Sequence, residues 1–195
     1  MKKKNASIIL FGDSYTAGRI PHTQEDGAFR EALGVPPECD FAVSGSTAQQ
    51  WAADANGMLS AVADSAAEIA VGSLGGNDAF AALADGVITD REKIAAPASL
   101  FHVLMRLNQK RRIILMLYPD PFCGARPDAA AGRRQLIAAI RAVASLANEI
   151  NSNVTLLDLS RVLRPEHFDG ADIHPNKNGY QAMADAVRHL AGCFS

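Results

Sequence analysis

The sequence predicts an α/β protein of three layers, in which helices cover both faces of a parallel sheet within one domain spanning residues 1–195. Two observations predict this architecture. Short apolar runs rich in Ile, Val, Leu and Phe alternate with stretches of helical spacing along the whole chain, and such alternation is typical of right-handed crossovers between parallel strands. A folded chain of 195 residues also buries roughly 70% of its unfolded surface, so it needs no disulfide or structural metal.

Five segments are predicted to be buried strands, because each is a short apolar run bounded by Gly, Pro, Ser or Asp. They are Ser7–Phe11, Asp40–Val43, Ile69–Leu74, Arg112–Tyr118 and Val154–Leu159. The lysines at 2–4 before the first run resemble the start of a signal peptide. However, this run is too short for one and meets Gly12-Asp13-Ser14 instead of a small-residue cleavage site, so we interpret it as the first strand.

Apolar residues at helical spacing predict amphipathic helices between the strands. One set extends from Trp51 to Val62 and another from Leu136 to Ile150. Trp51 is expected in the core. The last helix follows Asn176, a suitable cap, and places Tyr180, Met183, Val187 and Leu190 on one stripe.

A further helical region lies before the fourth predicted strand. Thr89 and Glu92 have the spacing of a capping box, and Pro97 is placed where it can begin a second helical piece. That second piece carries Leu100, Leu104 and Leu107 at helical spacing.

Charge and composition exclude several function classes. Nineteen basic and twenty-one acidic residues give a net charge of -2, without the concentrated positive charge that nucleic acid requires. No apolar run approaches the roughly eighteen residues that span a membrane.

Cys39, Cys123 and Cys193 are odd in number and far apart, so we expect free thiols and a cytoplasmic location. The dinucleotide, P-loop and nucleophile-elbow fingerprints are missing from the sequence, and we expect no cofactor.

Polar, glycine-punctuated segments follow four of the predicted strands. They are Gly12–Gly18, Ser44–Ser46, Gly75–Asp78 and His167–Pro175. Ligands of open parallel sheets bind beyond the carboxyl ends of the strands, so these segments are expected to meet at one edge.

Together these segments supply what acyl transfer needs: a hydroxyl nucleophile, a histidine base and donors for an oxyanion. Ser14 enters a helix directly after a glycine turn, where the helix N-terminus favours negative charge. His174 lies before Pro175 in a loop that opens onto the same edge. Taken alone, Ser14 in this position is more often an ordinary helix cap, Gly45 can serve only a turn, and Asn77 is by default a turn or capping residue.

These residues resemble the signature blocks of the SGNH hydrolase (GDSL esterase/lipase) family. The blocks are Gly12-Asp13-Ser14, an isolated Gly45, Gly76-Asn77-Asp78 and His174-Pro175. The resemblance implies a flavodoxin-like, five-stranded sheet in the order 2-1-3-4-5. It also implies that Ser14 is the nucleophile, that His174 is the base, and that an oxyanion hole is formed by the Ser14 and Gly45 backbone N–H groups and the Asn77 amide.

The sequence departs from the family pattern at the third triad member. The family usually places an Asp three positions before the His, where this chain has Ala171. Asp172, Asp169 or a backbone carbonyl could therefore orient His174, and we favour Asp172. Asp13 is expected to hold the turn around Ser14 by hydrogen bonds.

Two other functions compete with a serine esterase. One is a metal-dependent hydrolase that uses His167, Asp169, Asp172 and His174 as ligands. The other is a non-catalytic, flavodoxin-like binding module. The expected substrates are small esters, acetylated sugars, lysolipids or thioesters, because 195 residues leave little room for a lid. Transfer to an acceptor alcohol is chemically the same route, and the sequence does not indicate an oligomeric state.

Overall fold

The computed structural model describes residues 7–79, 90–108, 111–119, 127–151, 153–170 and 172–192. In chain order its strands and helices are β1 (Ile8–Gly12), α1 (Ser14–Ala17), α2 (Ala28–Leu33), α3 (Ala48–Ala53), α4 (Met58–Asp64), β2 (Ile69–Ser73), α5 (Asp90–Asn108), β3 (Arg112–Leu117), α6 (Pro127–Asn151), β4 (Val154–Asp158) and α7 (Lys177–Ala191). Short 3-10 helices occupy Pro37–Cys39, Leu159–Arg161 and Pro165–His167, and residues 76–79 form a helical turn. Thr89, Cys123, Ala171 and Cys193 lie outside the described residues.

The four strands form a parallel sheet in the order β1-β2-β3-β4. Leu10 lies opposite Val71, and Val71 lies opposite Ile114. Every residue of β2 is buried. Because successive side chains of a strand point to opposite faces, this burial means that both faces of the sheet are covered. The helices pack in two groups, one of α1, α2 and α7 and the other of α3, α4, α5 and α6.

The prediction of a five-stranded sheet in the order 2-1-3-4-5 is wrong, because Asp40–Val43 does not form a strand. The segment lies beside β1, where the Phe41 N–H donates to the Leu10 carbonyl at 3.1 Å and the Val43 N–H donates to the Gly12 carbonyl at 2.9 Å. Only one isolated parallel bridge, between Leu10 and Asp40, results from this pairing.

The local sequence explains why this edge segment stops short of a strand. It has only four residues between the 3-10 helix Pro37–Cys39 and the turn at residues 44–45. Asp is also unfavourable in strands, and the Asp40 carboxylate accepts the Ala42 N–H at 3.1 Å. A local turn-like bond therefore replaces further pairing.

Two helix predictions also need correction. The stretch from Trp51 to Val62 forms two helices, α3 and α4, because Asp54 (φ +50°) and Gly57 (φ +68°) adopt left-handed backbone conformations between them. Pro97 does not begin a second helical piece but lies inside α5.

The core matches the predicted apolar positions closely. Trp51, Tyr180, Met183 and Val187 are fully buried, and the Asn176 side chain caps α7 by accepting the Gly179 N–H. Ile150 departs from the prediction, because at the end of α6 it is 58% exposed. Among the described helices, none combines the length and apolarity needed to cross a membrane.

Candidate active site

The turn after β1 presents Ser14 at the start of α1. Gly12 has φ +112°, and a Cβ built on it would lie 2.0 Å from the Ser73 carbonyl oxygen, so only glycine fits here. Asp13 caps α1 by accepting the Tyr15 N–H at 3.2 Å. The turn is thereby held tightly against β2, with the Ser14 hydroxyl at the carboxyl edge of the sheet.

The Asp13 carboxyl lies beneath this turn and is 1% exposed. It accepts hydrogen bonds from the Ser73 hydroxyl at 2.7 Å and from the Tyr118 hydroxyl. Burial raises the pKa of Asp13 from 3.8 to about 6, although the hydrogen bonds from Tyr118, Ser73 and Tyr15 lower it. Asp13 therefore hydrogen-bonds within the turn, as the sequence predicts.

Ser14, His174 and Asp172 form a continuous hydrogen-bonded chain. His174 Nε2 lies 2.9 Å from Ser14 Oγ, and His174 Nδ1 lies 2.9 Å from Asp172 Oδ1. The same carboxylate oxygen accepts the backbone N–H of His174 at 2.8 Å. Partial burial would raise the pKa of Asp172, but these bonds and the charge of the imidazole outweigh burial and lower it. The carboxylate is therefore held in its ionised form.

The loop that carries His174 is fixed on both sides. The Tyr15 hydroxyl donates to the carbonyl of Ile173, and the rings of Tyr15 and His174 lie 5.9 Å apart. After the histidine, Pro175 forms an antiparallel bridge with Phe168. The imidazole is thus held from a residue adjacent to Ser14 as well as from its own loop.

The other acidic and histidine side chains of this loop bond elsewhere. Asp169 accepts a hydrogen bond from the Asn176 amide at 3.0 Å, and His167 Nδ1 accepts the Arg164 N–H at 3.1 Å. The structure therefore brings Asp172 to His174, and it does not bring Asp169 or His167 there. Within the described part of the chain, no three His, Cys, Asp or Glu side chains cluster in a way that could hold a metal ion.

Asn77 is bonded to the segment that contains Gly45. Gly45 lies in an exposed turn with φ +82°. The Asn77 Nδ2 group donates to the carbonyl of Ser46 at 2.8 Å. An amide carries two N–H groups, so this bond uses only one of them. Asn77 is thereby tied to the residue that follows Gly45.

Three further contacts fix the segment that contains Gly45, and sequence reasoning missed them. The Asp78 carboxylate accepts the Ala48 N–H at 2.7 Å, at the first turn of α3. The Ser46 hydroxyl donates to the Gly12 carbonyl at 2.9 Å and accepts the Trp51 indole N–H at 3.0 Å. In the sequence, only the position of Asp78 directly after Asn77 indicates the bond to Ala48. No feature of the sequence indicates the two bonds of Ser46.

A cavity of about 450 Å³ lies beside this segment. Its lining runs from Val43 to Leu59 and includes Gly45, Asp54 and Asn56. Open space therefore adjoins the turn that carries Gly45.

Comparison with known proteins identifies the family and the fold. The model of the GDSL-like lipase/acylhydrolase family matches residues 10–182, whereas no curated protein sequence matches the chain significantly. Among solved structures, Axe2, an acetylxylan esterase from Geobacillus stearothermophilus, is 17% identical with a TM-score of 0.69, and the alignment covers 100% of this chain and 98% of that one.

Two other solved structures share the fold. A family 3 carbohydrate esterase from Clostridium thermocellum is 19% identical with a TM-score of 0.66, covering 97% of this chain and 98% of its own. LAE5, an alpha/beta hydrolase enzyme from the metagenome of Lake Arreo, is 20% identical with a TM-score of 0.65, covering 97% and 96%. The family match over residues 10–182 shows that the chain belongs to the GDSL-like lipase/acylhydrolase family and is an SGNH-type carboxylic ester hydrolase.

Proposed function

We propose that this hydrolase cleaves carboxylic esters through an acyl-enzyme formed on Ser14. The observation that carries the proposal is the unbroken chain from Ser14 Oγ to His174 Nε2 and from His174 Nδ1 to Asp172 Oδ1, with 2.9 Å at each step. These distances are within hydrogen-bond reach for a nucleophile, a general base and the group that orients the base. Solved catalytic mutants of Axe2 replace a serine, an aspartate and a histidine, which supports the same three residue types. The Axe2 aspartate lies three positions before its histidine, whereas Asp172 lies two positions before His174, so the choice of Asp172 rests on the geometry of this chain.

The reaction proceeds in two halves. Ser14 Oγ attacks the ester carbonyl carbon while His174 Nε2 takes its proton, and His174 then gives that proton to the leaving alcohol oxygen. In the second half His174 takes a proton from water, which attacks the acyl-enzyme, and His174 then returns that proton to Ser14 Oγ as the acid leaves. Asp172 keeps the Nδ1 proton in place and stabilises the imidazolium.

Three N–H donors stabilise the oxyanion in this proposal: the backbone groups of Ser14 and Gly45, and the Asn77 side chain. The Asn77 bond to the Ser46 carbonyl supports it, since it holds the amide beside Gly45. Donors that are fixed before the reaction need no reorganisation when the charge develops.

We propose small acyl esters as substrates, with acetylated sugars as the leading class and with lysolipids and thioesters as alternatives. The acetylxylan esterase activity named for the Axe2 structure supports an acetyl group. The lining of the cavity beside Gly45 includes that proposed donor but not Ser14, Asn77 or His174, so the cavity offers space for a more distant part of the substrate. A cytoplasmic location remains a prediction that rests on the spacing of the cysteines.

The test combines covalent labelling with an ester series. A fluorophosphonate should label the wild type on Ser14, and p-nitrophenyl esters from acetate to palmitate should be cleaved with a preference for the short acyl chains. Ser14→Ala should abolish both labelling and turnover. Ser160→Ala is the matched control, because its exposed hydroxyl bonds to Asp158 and takes no part in the proposed chemistry.

Two results would contradict the proposal. Turnover that survives Ser14→Ala but disappears with a chelator would favour the metal-dependent alternative. A preference for palmitate over acetate would leave the nucleophile in place and reject the small-acyl substrate class.

A further inference from the structure

The Tyr118 hydroxyl lies between the two turns that carry the proposed nucleophile and the proposed oxyanion amide. Tyr118 directly follows β3 and is 8% exposed. Its hydroxyl donates to Asp13 Oδ2 and accepts the Gly76 N–H at 3.0 Å. Asp13 precedes Ser14, and Gly76 precedes Asn77. One hydroxyl therefore connects the turns after β1 and β2 to the end of β3.

The contact between Gly76 and Tyr118 is so close that a side chain at position 76 would have to displace the Tyr118 ring. A Cβ built on Gly76 would lie 2.8 Å from Tyr118 Cζ and 3.0 Å from its hydroxyl oxygen. The ring thus packs directly against the backbone of the Asn77 turn. The Tyr118 hydroxyl, through its bonds to Asp13 and Gly76, and the ring packed against Gly76 together hold the two turns at their separation.

We propose that Tyr118 is a positioning residue that holds the Asn77 turn at a fixed distance from Ser14. This inference rests on the proposed function, because it assumes that Asn77 and Ser14 act on the same carbonyl. Tyr118 is assigned no contact with substrate. It acts through Gly76 on one side and through Asp13 on the other.

The physical reason is preorganisation. Oxyanion donors lower a barrier only when they already point to the place where charge develops, and a misplacement of about 1 Å can cost about 100-fold in rate. Tyr118→Phe keeps the ring but removes both bonds, so the Gly76 N–H loses its acceptor and Asp13 loses one donor. The Asn77 turn can then move relative to Ser14.

The first experiment compares Tyr118→Phe with Tyr180→Phe. Tyr180 is also fully buried, and its hydroxyl donates to the Arg19 carbonyl at 2.9 Å. Tyr180→Phe therefore makes the same chemical change at a buried tyrosine that does not connect the two turns. We expect Tyr118→Phe to lower kcat by about 10- to 100-fold with little change in KM. Tyr180→Phe should leave both constants close to wild type. Equal kcat for the two variants would overturn the inference.

A double-mutant cycle with Asn77→Ala separates positioning from a general loss of structure. If Tyr118 acts through Asn77, its removal should cost much less in the Asn77→Ala background than in the wild type, because interacting residues are not additive. If the two losses in kcat multiply fully, Tyr118 does not act through Asn77. Circular dichroism of each variant reports whether it is folded.

A second variant covers the case in which Tyr118→Phe does not fold. Gly76→Ala disturbs the same contact from the Gly76 side, because the added Cβ displaces the Tyr118 ring. It should show the same loss in kcat and the same coupling to Asn77→Ala. Failure of the proposed function can be told apart from failure of the Tyr118 inference, because Ser14→Ala would retain turnover only if the proposed function is wrong. If Ser14→Ala and Asn77→Ala abolish or reduce turnover while both positioning variants behave as wild type, only the inference about Tyr118 is wrong.

Discussion

Two aspartates of the His174 loop carry the same functional group, but they differ in what their carboxylates contact. Asp172 accepts both the imidazole Nδ1–H and the backbone N–H of His174, whereas Asp169 accepts from Asn176. Because loss of the orienting carboxylate costs about 10⁴-fold in turnover, we expect that loss for Asp172→Asn in kcat on p-nitrophenyl acetate. Asp169→Asn is the control and should remain near the wild-type rate. The reverse pattern would assign the role to Asp169.

At Asp13, burial predicts a dependence of stability on pH. Its pKa in the folded protein is about 6, above the usual 3.8, so between these values the folded state binds more protons than the unfolded state. The contribution to the free energy of unfolding is thus fully present below about pH 3.8 and is lost as the pH rises through about 6. At about 1.4 kcal/mol per pKa unit, the effect is about 3 kcal/mol.

Asp13→Asn removes this titration and so isolates it. Urea unfolding of both proteins between about pH 4 and about pH 7.5 should show the stability of the wild type, relative to Asp13→Asn, falling by roughly 2 kcal/mol as the pH rises. The fall is smaller than the full effect because the unfolded carboxyl, with its pKa of 3.8, is already partly ionised at about pH 4. A difference that stays constant over this interval would show that the Asp13 carboxyl titrates alike in both states.

The residue types of the site were predictable from the sequence, but two contacts could not be decided from it. They are the contact of His174 with its aspartate and the contact of Tyr118 with Gly76. Ser14 and His174 follow predicted strands, and topology alone brings such positions to one edge. The choice between Asp172 and Asp169 depends on which side chain of one loop faces the imidazole. A local turn decides it, because Asp172 also binds the backbone N–H of His174. Tyr118 carries no motif, and its role depends on a contact with a residue 42 positions away.

Among the helices, α3 connects the segment that carries the proposed donor Gly45 to the sheet. Its first turn donates the Ala48 N–H to the buried Asp78 carboxylate at 2.7 Å, and Thr47 caps the same turn by accepting the Gln50 N–H at 3.1 Å. Gly45 lies just before this turn. Asp78 therefore joins the end of β2 to the segment that carries a proposed donor, whereas Thr47 bonds only within its own helix.

These two caps give a matched pair of variants. Asp78→Ala leaves a buried N–H without its acceptor, which costs about 1–3 kcal/mol, and Thr47→Ala removes a helix cap at about 1 kcal/mol. We expect both to lower the free energy of urea unfolding, but only Asp78→Ala to lower kcat strongly. Equal kcat for the two would indicate that α3 contributes stability without positioning Gly45.

Two of the elements that the sequence mispredicted share one physical cause, which is a local interaction that interrupts an apolar pattern. The segment Asp40–Val43 has the composition of a strand, but Asp40 binds the Ala42 N–H. The pattern from Trp51 to Val62 is helical throughout, but Asp54 adopts a left-handed conformation and accepts the Leu59 N–H at 2.8 Å. Periodicity identifies which residues are buried better than it identifies where an element ends.

At the scale of the whole molecule, the proposed catalyst is assembled from the two ends of the chain. Ser14 and His174 are 160 positions apart in sequence and 2.9 Å apart in space. The connection between them runs through the sheet, since Ser14 follows β1 and the loop of His174 follows β4. A site of this kind exists only when the whole fold is formed. We therefore propose that residues 1–195 fold as one domain.

Unfolding in urea tests this proposal. Trp51 is the only tryptophan; it is fully buried, packs edge-on against Phe11 at 6.0 Å, and reports on the half of the molecule around β1 and α3. Fluorophosphonate labelling of Ser14 reports on the intact site, which also needs His174 and the loop before α7. A single domain unfolds in one cooperative transition, so fluorescence, far-UV circular dichroism and labelling should lose signal at the same urea concentration. Labelling that disappears well before the fluorescence changes would mean that the His174 loop opens independently, and the chain would then behave as two units.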